Sequence, residues 1–297
     1  MVAWGAGTSS GAAPHFGQAN VPAGLTNVVA VAAGFYHSLA LQADGTVVAW
    51  GAGTTNTGSL PNYGQAVVPV GLTNAAAIAC GLYHSLALQA DGTVVIWGAG
   101  RTNSGAYPDF GQALVPAGSV NVIAVAGGSF HTLVLEGDGR PCLTTQPFSQ
   151  VAPAGATVRL AAMAVGTQPL IYQWQCDGTN VPGATTALLT LPNVQVASAG
   201  TYSVVVTNAL GSAASSNAAL SVLPVPAPSI VISLAGPGIS VSFTSQPGSN
   251  YVLEYKNSLE DPAWTPLSPP VPATGGAMVL QDTNAPSGSR YYRLRQQ

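Results

Sequence analysis

Four histidines, three cysteines and ten acidic side chains are the raw material for chemistry in this chain of 297 residues. Three of the histidines recur: His37, His84 and His131 stand 47 residues apart, each within Gly-x-x-His-[Ser/Thr]-Leu-x-Leu. A histidine next to a serine invites a reading as general base and nucleophile. Successive side chains on a strand point to opposite faces, however, so the neighbours His37-Ser38 and His84-Ser85 cannot relay a proton. A catalytic site also gathers different groups at one point, whereas here one residue type holds one place in three copies. These histidines are expected to be buried, with ring nitrogens tied to nearby backbone groups. His15 occurs once, in a loop, and is expected to be solvated.

The other reactive groups offer no constellation. Asp44, Asp91 and Asp138 each precede a glycine and are committed to turns, and the remaining acids are scattered, so no carboxylate pair suits glycoside hydrolysis. Gly51-Ala-Gly53 is followed by no helix that could present its N-terminus to a phosphate. Cys80, Cys142 and Cys176 lie in three contexts without a Cys-x-x-Cys, which suits small structural roles better than a disulfide framework or a metal site. The expectation is a non-enzymatic chain with no catalytic residue, cofactor or metal.

The elements that carry these residues are repeats. Ala-Trp-Gly-Ala-Gly at Ala3–Gly7 and Ala49–Gly53 recurs as Ile-Trp-Gly-Ala-Gly at Ile96–Gly100, placing Trp4, Trp50 and Trp97 at matching positions. Aromatic-Gly-Gln recurs at Phe16–Gln18, Tyr63–Gln65 and Phe110–Gln112. A period near 47 without helical patterning indicates propeller blades or a β-solenoid. His37, Leu39 and Leu41 share one strand face; Asp44-Gly45 is expected to be a type I′ hairpin turn; Thr46–Trp50 returns. Val28–Ala32, Ala75–Ala79 and Val122–Ala126, rich in small residues, read as innermost strands. Each unit is expected to form a four-stranded sheet.

These strings resemble the regulator of chromosome condensation repeat family, and the resemblance covers residues 1–140. It implies a seven-bladed propeller, and it raises nucleotide exchange on a small GTPase as the least favoured function. Only about three units are present, where propellers need about four to eight blades. The third unit meets Arg140-Pro141 where a return strand is due, and proline removes a ladder donor. Met1–Gly5 supplies a strand of the missing type. Either Val2–Trp4 pairs with Thr132–Leu135, in its own chain or in a second one, or the array is an open arc. Self-association through the unpaired propeller edges follows from the first alternative.

Residues 143–224 resemble an immunoglobulin-like sandwich of the intermediate type, carried by Tyr172-Gln-Trp174, Leu188–Leu191 and Ser198-Ala-Gly-Thr-Tyr202. The resemblance implies a tyrosine corner at Tyr202 and a disulfide position filled here by Val204 and Ala162, packed on Trp174. Val225–Pro228 reads as a proline-rich linker. Residues 229–297 alternate through several short strands and resemble fibronectin type III-like modules of large bacterial surface or secreted proteins. The expected organisation is all-β: a partial propeller over 1–142, a sandwich over 143–224, the linker 225–228 and a second small sandwich over 229–297.

Composition narrows the partners. Charged residues are 6% of the chain against about a quarter in ordinary soluble domains, while Gly numbers 35 and Pro 23. With seven basic against ten acidic residues and no basic run, nucleic acid is not an expected partner. No apolar stretch is long enough to span a membrane. Met1 leads straight into repeat sequence, so the chain is expected to be a late start or fragment of an exported, extracellular or cell-surface protein without its signal.

Function is expected in the loops from Gly7 to Gln18, Gly53 to Gln65 and Gly100 to Gln112. Their flanks are fixed while their tips change: His15, Asn62 and Asp109 at one position, Ala13, Leu60 and Tyr107 at another, and Arg101 in the third loop alone. Changing tips on rigid supports are how a scaffold presents a binding surface, with Tyr63, Asn62, Arg101, Tyr107, Asp109 and His15 as candidates. Tips that vary because nothing constrains them are the competing explanation. The sequence thus suggests a bacterial scaffold or adhesion-type protein engaging a protein or glycan; an accessory region of a larger secreted polysaccharide-degrading enzyme is the alternative.

Overall fold

The computed structural model describes residues 1–8, 13–224, 230–235, 238–245, 249–273, 276–285 and 289–296. The expected linker Val225–Pro228 lies outside them. The chain is all-β and packs as two units, Met1–Pro224 and Val225–Gln297.

The first unit opens with the repeat array. Unit one forms β1 (Val28–Ala33), β2 (His37–Gln42) and β3 (Val47–Gly51), an antiparallel meander. A short hairpin, β4 (Asn56–Ser59) with β5 (Asn62–Tyr63), leads into unit two, β6 (Ala75–Cys80), β7 (His84–Gln89) and β8 (Val94–Gly98). A second hairpin, β9 (Asn103–Ala106) with β10 (Asp109–Phe110), precedes unit three, β11 (Val122–Gly127) and β12 (Thr132–Glu136). The sheets of units one and two thus have three strands and that of unit three has two, rather than four. What would be the fourth strand folds away as a separate hairpin in the loop.

The turns differ in type from expectation. Among the non-glycine residues, Asp44 and Asp91 keep ordinary backbone, while Gly45 and Gly92 take φ of 82° and 85°. A type I′ turn needs positive φ at both central residues, so each connection is a three-residue turn, Ala43–Gly45 or Ala90–Gly92, closed by Gly45 N–H to Gln42 O at 2.9 Å and by its counterpart Gly92 to Gln89. Each aspartate carboxylate accepts from the residue two beyond it: Thr46 on Asp44, Thr93 on Asp91 and Arg140 on Asp138.

Units stack face to face. Leu39, Leu41, Leu86 and Leu88 are fully buried on the side that meets the following unit. Among the described residues Val2–Trp4 does not complete unit three: β12 pairs there only with β11, and Trp4 is 84% exposed. The chain turns away at Arg140-Pro141 into Cys142–Thr145, which pairs with Met163–Val165.

That pair joins array to sandwich. Met163 and Val165 are buried in the same apolar cluster as Leu39, Ala75, Ala76 and Val122, and Thr144 Oγ1 donates to Ala76 O at 2.6 Å. Behind it, Trp174, Tyr202, Val204 and Ala162 lie in a separate sandwich core with Leu160 and Leu220. Trp174 faces Val204 directly across Ile171–Cys176 and Gly200–Asn208. The Tyr202 hydroxyl donates to Ser198 O at 2.9 Å, the corner that the immunoglobulin-like resemblance implies. No cysteine is bridged; Cys80 packs inside the array, where burial pushes its thiol up to about 12.

The second unit has two sheets, one of Ile230–Ala235, Gly238–Thr244 and Ala277–Asp282, the other of Asn250–Lys256 flanked by Tyr291–Gln296 and two short strands. Val241, Phe243, Tyr251 and Leu253 are buried between them. Four of the seven basic residues, Lys256, Arg290, Arg293 and Arg295, belong to this unit. Buried Glu254 accepts from Arg293 at 2.7 Å and Arg295 at 2.8 Å. No helix among the described residues is long and apolar enough to cross a membrane.

Candidate functional site: an aromatic row on the repeat array

Each array loop is braced by its glutamine. The backbone N–H of Phe16, Tyr63 and Phe110 donates to Oε1 of Gln18, Gln65 and Gln112, each at 2.9 Å. The same side chains return Nε2 to the carbonyls of Pro14, Pro61 and Pro108. The glutamine backbone carbonyl holds the sheet as well. Gln18 O accepts from Ser38 Oγ at 2.9 Å and Trp50 Nε1 at 2.8 Å; Gln65 O accepts from Ser85 Oγ at 2.7 Å and Trp97 Nε1 at 2.8 Å. Aromatic-Gly-Gln and the repeat tryptophan are thus two ends of one clamp.

The changing tips at one position share one task. Nδ1 of His15, Oδ1 of Asn62 and Oδ1 of Asp109 accept from the backbone N–H of Gly7, Gly53 and Gly100 at 3.1, 2.9 and 2.8 Å. His15 is therefore a loop brace rather than a merely solvated ring. Three residue types that differ in sequence are interchangeable acceptors here. Arg101 stands exposed, with no hydrogen bond or ion pair among the described residues.

The aromatic tips behave differently, because they meet rings from elsewhere in the repeat. Tyr63 lies 5.3 Å edge-on to Tyr83; Tyr83 is 6.1 Å from Tyr107; Tyr107 is 5.5 Å from Phe130; Phe130 is 5.4 Å from Phe110. Tyr36 continues the row from Tyr83 at 6.3 Å to Phe16 at 4.8 Å and Phe35 at 4.4 Å. Eight rings thus run across all three units, with Phe35 58% and Tyr107 52% exposed. Burial first, then Tyr107 and Asp109, pushes the Tyr63 phenol upward. Sequence reasoning singled out Tyr63 and Tyr107 but missed Tyr36, Tyr83 and Phe130, each of which immediately precedes a repeat histidine. That recurring aromatic-His pair was the available signal.

The histidines serve the stacking. His37 and His84 are fully buried, and each reaches a hydroxyl of the next unit rather than backbone: His37 Nε2 to Ser85 Oγ at 2.9 Å, His84 Nε2 to Thr132 Oγ1 at 3.2 Å. Ser85 spends its single hydroxyl proton on Gln65 O, so the ring must donate to Oγ. A base that donates to a serine does not activate it. Nδ1 of both rings is left buried without a partner. The glycine of Gly-x-x-His makes room for them: a Cβ on Gly34 would sit 2.2 Å from the His37 ring, and one on Gly81 2.0 Å from His84. Among the described residues no three His, Cys, Asp or Glu side chains gather as a metal set.

Comparison with known families finds a match in each part of the first unit. Residues 28–57 and 75–105 match the regulator of chromosome condensation (RCC1) repeat, and residues 141–222 match the immunoglobulin I-set domain. Among solved structures, the chain is similar to a chimeric titin Z1Z2 carrying a KLER peptide from decorin, at 32% identity over 29% of this chain and 95% of that one, TM-score 0.26. It is similar to the titin M10–obscurin-like 1 Ig complex at 28% identity, over 30% of this chain and 98% of that one, TM-score 0.28. Tandem Ig repeats of Dlar match at 23% identity over 32% of this chain and 56% of that one, TM-score 0.29.

Proposed function

We propose that this chain, in which RCC1-type repeats run into an immunoglobulin I-set domain, is a non-catalytic binding or adhesion-type scaffold of the cell exterior. It engages an extended protein segment or glycan along the aromatic row. The observation that carries the proposal is the continuity of that row: rings from three loops and three strand ends line up on supports locked by Gln18, Gln65 and Gln112. Aromatic side chains supply large contact areas with little ordering cost, and rigid supports reduce what binding must spend on entropy. Nearby charge is scarce, so recognition would rest on ring faces, hydroxyls and amides. A polysaccharide suits the same surface, which keeps open a second reading as the accessory region of a secreted polysaccharide-degrading enzyme whose chemistry lies elsewhere.

A glycan array followed by titration of the best ligand tests the proposal, with proteins from the natural surroundings as the second panel. Tyr107→Ala and Phe35→Ala should each weaken binding by about tenfold or more, as loss of an aromatic anchor does. Arg159→Ala, on an exposed sandwich position, should leave it unchanged. Binding that ignores both ring variants would remove the row as the site.

A further inference from the structure

The two ends of the array are the two halves of one joint. At each internal seam a histidine meets a hydroxyl of the following unit, and the leucine face beside it is buried. The third unit presents the same face uncovered by any of the described residues. His131 is exposed, and Leu133 and Leu135, which correspond to the fully buried Leu39 and Leu41, are 61% and 59% exposed. Below them Gln112 O accepts from Thr132 Oγ1, whereas its counterparts on Gln18 and Gln65 each hold an indole N–H as well. The slot that an indole would fill is an open groove lined by Phe110, Gln112, Leu114, Phe130, Thr132 and Val134.

The first unit presents the complementary half. Ser38 Oγ is bonded to Gln18 O as Ser85 is to Gln65 O, but no histidine reaches it among the described residues. Val31 and Phe35 on that face are exposed, and Val2–Gly5, of the same Val-x-Trp-Gly type as β3 and β8, stands unpaired with Trp4 in solvent. An unpaired strand edge next to an apolar groove is a template for strand addition.

We propose that a second copy of this chain docks head to tail on the third unit. Its Val2–Gly5 adds a strand to β12, its Trp4 fills the groove and donates to Gln112 O, and its Ser38 takes the hydrogen bond of His131. The internal seams specify this occupant, since a surface shaped like the start of unit two already covers the leucine face of unit one. The contact is heterologous, so it closes into a ring or extends as a filament. Phe35, Phe110 and Phe130 belong to both this joint and the aromatic row, whereas Trp4, His131 and Leu133 belong to the joint alone.

Sedimentation equilibrium on the chain and two variants tests this. The unmodified chain should associate with rising concentration. Trp4→Ala and Leu133→Asp change exposed side chains and should each weaken association by about tenfold or more, the loss expected of a central anchor. His131→Ala serves as a second groove variant should Leu133→Asp fail to fold. Mixed, the strand variant and the groove variant each keep one intact half, so they should form a pair and stop there. A strictly monomeric chain, variants that associate as well as the parent, or a mixture that forms no pair would each overturn the proposal.

Discussion

Burial, and after it the neighbouring ring one unit on, holds His37 and His84 neutral, lowering each from the ordinary 6.5 to about 4. In the unfolded chain both rings titrate normally, so as pH falls the unfolded state takes up protons first. The stability stored in the neutral rings is complete above about 6.5 and is lost as pH falls toward about 4, amounting to about 3 kcal/mol for a single ring across that window. Urea melts of the array should therefore lose midpoint steadily between pH 7 and pH 4. His37→Gln, which keeps a donor for Ser85, should flatten the slope; an unchanged slope would mean that the rings are not the titrating groups. The second unit should respond at lower pH. Burial works against the Glu254 carboxylate, but the guanidinium groups of Arg293 and Arg295 outweigh it and hold the acid below its ordinary range. Its contribution is present above that range and disappears only in stronger acid.

At the level of strands and turns, the sequence was readable where the signal was local. Leu39 and Leu41 two apart and small residues over Val28–Ala32 each depend on a few neighbours, and the structure puts strands there. The turn class was misjudged because Asp-Gly suits both the two-residue and the three-residue connection. The aromatic row was half visible: Tyr63 and Tyr107 stand in loops, whereas Tyr36, Tyr83 and Phe130 sit at strand starts, and only stacking of the units brings the two sets together. The histidine–hydroxyl bonds link residues 48 apart, a spacing without meaning until neighbouring units are known to face one another. The tryptophans give a test at this scale. Trp50 and Trp97 are buried, with indoles clamped to glutamine carbonyls, and changing either to alanine should cost about 3–5 kcal/mol. Trp4→Ala should cost almost nothing in dilute solution, where its ring is free. Comparable losses at all three sites in urea melts would contradict that ordering.

For the whole molecule, the join between array and sandwich determines what can fold alone. Read along the sequence, the two meet near residue 142, yet Met163 and Val165 on the sandwich side are buried among Ala75, Ala76 and Val122 of the array. The backbone is tied across the same join: Gly166 N–H donates to Ala90 O at 3.0 Å, and Asn208 Nδ2 donates to Gly139 O at 2.8 Å. Removing residues 143–224 would uncover the inner strands of units two and three and leave Ala76 O without Thr144. The outer faces of units one and three already expose Val31, Leu133 and Leu135, and repeat proteins depend on covered outer faces for solubility. A fragment of residues 1–142 should therefore be aggregated or loosely packed, whereas residues 1–224 should unfold in one cooperative transition. Met163→Ala offers a milder version, creating a cavity of the kind that costs about 2–5 kcal/mol. Because both partners share that side chain, the loss should lower the melting of array and sandwich together, followed through Trp97 in one and Trp174 in the other. Two separate transitions, with only the sandwich affected, would show that the shared core carries no coupling.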